Sequence, residues 1–284
     1  MSMIDAVLKL RQPMEPIATS VACELKPLHD VRAVIFDIYG TLVISGSGDV
    51  GSSVASDPAT EFIESKQGDL SRRITRLHEV IQASNTQRQD AGCIKPEINI
   101  VDAWRQTLRD CGEADVLQST SAVVRMAAQH EAISNPTWPM PGAAGLLAWL
   151  HEQPLRLGIV SNAQVFTPIL VEDLVGGSLA DAGFDLNLCV FSNRFLHAKP
   201  DPLLFDVLVA GLRRASIQPQ QALYVGNDML NDVYAAKQAR LKTAWFAGDK
   251  RSCRSRQSDP RCSQLKPDLI LTDLLQLREC IAVG

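Results

Sequence analysis

The sequence predicts an α/β fold: a doubly wound parallel sheet carrying an inserted α-helical cap domain. Two observations lead there. Short apolar runs end abruptly in polar or glycine residues and alternate with helical patterns, and one long stretch near the amino terminus holds helical patterns alone. Runs of four to six residues without strict alternation suit strands buried on both faces, as in a parallel sheet, and strand–helix alternation brings right-handed crossovers.

The predicted strands are Val31–Phe36 before Asp37, Leu155–Val160 before Ser161-Asn162, Leu188–Phe191 before Ser192, Ala222–Val225 before Gly226, Lys242–Phe246 before Ala247-Gly248, and Leu269–Leu271 before Thr272. The helices between them are Gly142–Glu152, Pro202–Arg213, Met229–Ala239 and Asp273–Cys280, each with apolar residues at three- and four-residue spacing. From 45 to 137 the pattern is helical and no strand is expected. Asp57-Pro58 opens a helix through Lys66; Leu70, Ile74, Leu77 and Ile81 form one stripe, Ile98, Val101, Trp104 and Leu108 another, and Val116, Leu117, Val123, Val124 and Ala127 a third. The expected organisation is therefore an extension at 1–30, a core built from 31–44 and 138–284, and a helical cap at 45–137. The Gly- and Ser-rich tract Ser45–Ser53 reads as a hinge. It contains a Gly-x-Gly-x-x-Gly match, Gly46–Gly51, but sits nine residues beyond Asp37 rather than in a tight strand-to-helix turn, so the dinucleotide reading is rejected.

Composition narrows the function. Hydrophobic residues at 46% and charged residues at 21% exclude wholesale disorder. A net charge of −4 gives no general attraction to nucleic acid or to anionic lipid, so neither is expected as a partner and any phosphate recognition must be local. No apolar run approaches the ~20 residues of a membrane span. Seven cysteines without a Cys-x-x-Cys pair read as reduced thiols, and the expected location is the cytoplasm. Oligomeric state is not legible. His78, His130, His151 and His197 show no metal-ligand spacing with cysteine or with one another. Arg72, Arg73 and Arg76 read first as a solvated helix face.

In a parallel sheet the carboxyl ends of the strands open on one edge, where ligands bind at the switch in strand order. That edge would collect Asp37, Ser161-Asn162, Ser192 and Gly226-Asn227-Asp228 with Asp232, and Lys199 just past the third strand. Converging carboxylates with a lysine and a hydroxyl form a polar site that no core tolerates without a ligand. Oxygen donors favour a hard cation such as Mg²⁺, and a lysine and a serine beside it suit a phosphate. The basic segment Asp249–Lys266 leaves the same edge and is a candidate rim for an anionic substrate.

Asp37-Ile-Tyr-Gly-Thr-Leu42, Val160-Ser-Asn162, Lys199-Pro-Asp-Pro202 and Val225-Gly-Asn-Asp-Met-Leu-Asn-Asp232 resemble, in order and spacing, the four motifs of the haloacid-dehalogenase-like (HAD) superfamily. The helical insert resembles that superfamily's first-type cap. The resemblance implies a hydrolase in which Asp37 is the nucleophile and Thr41, Ser161 and Asn162 hydrogen-bond the transferring group. Lys199 would neutralise charge. Mg²⁺ would be held by Asp37, the main-chain carbonyl of Tyr39, Asp228 and Asp232. Two residues depart from the phosphatase pattern. Tyr39 stands where those enzymes carry a second aspartate as general acid and base, as it does in 2-haloacid dehalogenases. Gly226-Asn227 stands for Gly-Asp, which leaves open whether Asn227 or Asp228 touches the metal. The expected activity is a Mg²⁺-dependent phosphatase acting on a small phosphorylated metabolite through an aspartyl-phosphate; the alternatives are a 2-haloacid dehalogenase and a weakly active or non-catalytic binding protein.

Overall fold

The computed structural model describes residues 7–47, 68–113 and 119–282. Six parallel strands form the central sheet: β1 (Ala33–Phe36), β4 (Arg156–Ser161), β5 (Phe184–Phe191), β6 (Ala222–Gly226), β7 (Lys242–Phe246) and β8 (Leu269–Leu271). Their order across the sheet is β5-β4-β1-β6-β7-β8. The chain thus runs outward from β1 through β4 to β5, then returns past β1 and continues in the other direction. The reversal falls between β1 and β6, where Asp37 and the Gly226–Asp232 segment emerge side by side, and the Asp37 amide donates to Val225 O (2.9 Å).

Side chains alternate between two apolar layers. On β1, Val34 and Phe36 join the layer of α4 (Ala143–His151) and α5 (Thr167–Val175). Ala33 and Ile35 join the layer of α7 (Leu203–Arg214), whose Leu204, Phe205, Leu208 and Leu212 are buried. Burial on both faces is what excludes alternation from these runs.

Between β1 and β4 the insert contributes α1 (Gly68–Asp90), α2 (Ile100–Asp110) and α3 (Thr120–Ser134). Asn99 caps α2 by accepting from the Val101 and Asp102 amides, and Ser119 caps α3 by accepting from the Ala122 amide. Leu77, Trp104, Leu108, Val123 and Ala127 are buried together, as the stripes predict. The expected helix from Asp57, and Val116 and Leu117, lie outside the described residues, as do Gly48–Ser53 of the expected hinge. Arg73 pairs with Glu113, and Arg76 with Asp110 and Glu79, so both serve the cap's own surface.

The expectation of no strand from 45 to 137 needs correction. Val43–Ser45 (β2) and Thr137–Pro139 (β3) form a two-stranded antiparallel sheet at the base of the insert. Three residues ending in proline carry no strand periodicity, and Pro139 is tolerated there only because the ribbon is so short. The helix expected over Met229–Ala239 begins as a π-turn, Met229–Tyr234, and becomes α8 only at Ala235–Gln238. Segment 7–30 lies against the core: Glu24 pairs through its backbone with Ile270 of β8, and Arg11 forms an ion pair with Asp173 of α5 (2.6 Å).

Candidate active site

Asp37 leaves β1 with a side chain only 11% exposed, and its Oδ1 stands 2.9 Å from Lys199 Nζ. No hydrogen bond engages Asp37 Oδ2 among the described residues. Lys199 is fully buried and holds three partners at once: Asp37, Asp232 Oδ1 (2.5 Å) and Tyr224 OH (2.9 Å). Tyr224 OH in turn donates to Val160 O (2.7 Å), so the phenol accepts from the ammonium and ties it to the end of β4. Asp232 Oδ2 accepts from the Asp228 amide (2.8 Å). Gly226 makes this possible, since a Cβ there would lie 2.4 Å from Asp232 Cγ.

Two carboxyl groups therefore share one buried ammonium. Burial works against the charge on Lys199, yet Asp232 and Asp37 outweigh it and hold its pKa above the ordinary value. The most buried carboxyl group resists ionisation most. Burial pushes Asp232 up to about 7 despite Lys199, with Asp37 and Asp228 adding to the rise.

Asp228 and Asp232 are brought together but point to different partners. Asp228 caps the π-turn by accepting from the Leu230 and Asn231 amides and forms a two-pronged pair with Arg256, Nη2 to Oδ2 at 2.6 Å. Among the described residues Asn227 Oδ1 accepts only from Thr41 Oγ1 (3.2 Å), while its Nδ2 donates to Ser252 O. Gly40, at φ +76°, lets this loop close: a Cβ would sit 2.5 Å from Ser252 Cβ and 2.8 Å from Asn227 Nδ2.

Ser161 is fully buried at the end of β4 and donates to Asn162 O (3.1 Å). Asn162 Oδ1 accepts from the Lys199 amide (2.8 Å) and so positions the lysine loop. Ser192 stands at the next strand end, where it accepts from the Ala163 amide and donates to Glu97 of the cap (both 2.8 Å). Tyr39 is buried, with its hydroxyl 3.1 Å from Thr167 Oγ1 at the start of α5. Burial, followed by the nearby Glu131, raises its pKa well above the ordinary value, so it is a neutral phenol near pH 7 and no substitute for a carboxylic acid.

A cleft of about 540 Å³ separates cap from core, lined by Asn162, Gln164, Glu97, Asn231, Arg256 and Arg261 among others. Two of the basic-segment residues thus reach a ligand-sized cavity. That segment is bound tightly to the strand-end loop: Met229 N donates to Arg254 O, and Arg254 N to Asn227 O. Sequence reasoning missed Tyr224, whose position inside an apolar run gives no sign of a polar role, and the pairing of Arg256 with Asp228.

The family described as haloacid dehalogenase-like hydrolase matches residues 31–240, well over half of the chain. This protein belongs to that family. Among curated proteins this hydrolase is similar to the enolase-phosphatase E1 of Marinobacter nauticus, at 26% identity covering 76% of this chain and 88% of that one. It is also similar to the phosphoglycolate phosphatase of Escherichia coli, at 28% identity covering 76% and 81%. Among solved structures, a 2-haloacid dehalogenase from Pseudomonas syringae pv. Tomato DC3000 shares its fold, with a TM-score of 0.58 and 19% identity over 88% of this chain and 97% of that one. Among the described residues, no helix is long and apolar enough to cross a membrane.

Proposed function

We propose that this HAD-like hydrolase is a Mg²⁺-dependent phosphatase that acts on a small phosphorylated, anionic metabolite through an aspartyl-phosphate at Asp37. The observation that carries the reading is the state of Asp37: Oδ1 is anchored by Lys199 while Oδ2 carries no hydrogen bond among the described residues. A carboxylate held this way is oriented for attack yet keeps a lone pair for it. Asp37 Oδ2 forms a bond to phosphorus as the bond to the leaving oxygen breaks; water then hydrolyses the acyl phosphate and restores the carboxylate. Lys199 offsets the charge of Asp37 throughout, and Asn162 holds the lysine loop in register.

The donor set suits a hard cation. Asp37, Asp228 and Asp232 gather three carboxyl groups around Lys199 and Arg256, and the donors are oxygens. Asp37, the Tyr39 carbonyl and Asn227 Oδ1 would hold Mg²⁺. Asp228, already occupied by Arg256 and two amides, would instead aim Arg256 into the cleft, and Asp232 would act behind Lys199. When bound, Mg²⁺ supplies charge to the phosphoryl oxygens and relieves the carboxylate excess.

Two curated relatives named as phosphatases support the substrate class, as do Arg256 and Arg261 on the cleft wall. Seven free cysteines support a reducing, cytoplasmic location. A second reading, 2-haloacid dehalogenase, is favoured by Tyr39 alone: a neutral phenol bonded to Thr167 stands where a phosphatase general acid is expected. Turnover of an aryl phosphate with and without a divalent ion, run beside halide release from 2-chloropropionate, separates the two. The proposal expects phosphate release that a chelator abolishes. Metal-independent halide release without phosphatase activity would reverse it.

A further inference from the structure

Away from the catalytic carboxylates, three ligand-type side chains converge where the cap meets the core. Cys93 Sγ lies 3.3 Å from His197 Nδ1, and the same nitrogen lies 2.9 Å from Asp201 Oδ2. One donor atom from each residue falls within 4.8 Å of the other two. The residues are 104 and 4 positions apart, so His197 meets a cysteine although the sequence shows no metal-ligand spacing between them: spacing along the chain cannot register a pair made by docking the cap. A neutral imidazole carries one hydrogen at most on Nδ1 and cannot donate it well to both sulfur and carboxylate. A cation at that point satisfies all three.

We propose that Cys93, His197 and Asp201 form a binding site for Zn²⁺ or a similarly thiophilic divalent ion, with a fourth position open to water. Zinc bond lengths set ligand–ligand edges of ~3.4–3.6 Å in a tetrahedron; the 3.3 Å between Cys93 and His197 is near that range, and the 2.9 Å between His197 and Asp201 must open by about half an ångström to admit the ion. The ligands are also held in place by their surroundings. The Cys93 amide donates to Arg88 O at the end of α1, and Asp201 Oδ1 accepts from the Leu203 amide at the start of α7. Backbone bonds lock the two segments together, Ala198 N to Lys95 O (2.8 Å) and Glu97 N to Leu196 O (3.0 Å). Sulfur with imidazole selects a softer ion than the oxygen donors at Asp37 do, so the two sites discriminate by chemistry. On binding, the Cys93 thiol gives its proton to solvent and ligates as thiolate. The bound ion cross-links the end of the first cap helix to the loop that carries Lys199. The site does not depend on whether the enzyme is a phosphatase.

Cobalt(II) titrated into the full chain tests this, because a thiolate–cobalt charge-transfer band reports sulfur ligation and is silent for oxygen donors. The expected result is a band that saturates at one equivalent, is displaced by Zn²⁺, vanishes in Cys93→Ser and weakens at least ~10-fold in affinity in His197→Gln. Circular dichroism establishes that each variant is folded; if Cys93→Ser is not, His197→Gln decides by the same band. No band in the folded wild type would mean a hydrogen-bonded cluster only. A band of equal affinity in the variants would place the ion on another cysteine. Either result overturns the proposal.

Discussion

Lys199 Nζ and Asp37 Oδ1 lie 2.9 Å apart in a pocket that also encloses Asp232 and Tyr224, so one ammonium fixes the proposed nucleophile and the charge balance behind it. Tyr224 is the support for that arrangement. Removing its hydroxyl in Tyr224→Phe leaves Val160 O and one lysine hydrogen unpaired in a dry interior, at a cost of ~1–3 kcal/mol. The expected outcome is a Tm lower by roughly 2–10 °C together with a fall in kcat at nearly unchanged KM. Thermal melts and steady-state kinetics check both halves.

Asp232 makes stability depend on pH. Its pKa rises on folding from 3.8 to about 7, so between those values the folded chain holds a proton that the unfolded chain has released. Its contribution is therefore complete in acid and is lost as pH rises through about 7. Asp232→Asn removes this dependence. Urea unfolding with chelator, at about pH 5 and about pH 8, should show wild-type stability falling relative to the variant as pH rises. Parallel profiles would contradict the burial argument.

Mg²⁺ should raise Tm by mass action, since the folded state alone assembles its donors; at a hundred times Kd the gain is ~2.7 kcal/mol. Each variant is measured against its own metal-free baseline. Asn227→Ala should lose most of the increment and Asp228→Asn should keep most of it. The reverse order would make Asp228 the direct ligand.

Tyr39 sets the leaving-group dependence. On the proposed phosphatase reading, a neutral, buried phenol in the general-acid position would leave departure of the leaving oxygen unassisted, and aryl or acyl phosphates should react far faster than alkyl phosphates. Tyr39→Asp should flatten the dependence of rate on leaving-group pKa. The smaller side chain also leaves a void beside Thr167 and Phe166, so melting is measured alongside the rates. An unchanged slope in a folded variant would mean that another group already supplies the proton.

Much of this was legible because the relevant signals are local. An apolar run ending in a polar residue marks both a buried strand and its carboxyl end, so β7 and β8 match their expected bounds and Asp37, Ser161 and Gly226 fall on one sheet edge. What stayed hidden arises from docking distant segments. Arg256 meets Asp228 across 28 residues, Cys93 meets His197 across 104, and Tyr224 turns its hydroxyl inward from a strand that reads as wholly apolar. The π-turn at Met229–Tyr234 was hidden for another reason: a helical stripe does not distinguish a wide first turn from a regular one.

The covalent role proposed for Asp37 is tested most directly by rapid acid quench of the protein turning over an acyl phosphate with Mg²⁺, followed by mass analysis of its peptides. The account predicts one added phosphoryl group on the peptide containing Asp37, absent from Asp37→Asn, whose turnover falls by ~10⁴-fold or more with the fold intact. Phosphate release in a single turnover with no adduct on that peptide, or an adduct on another residue, would contradict it.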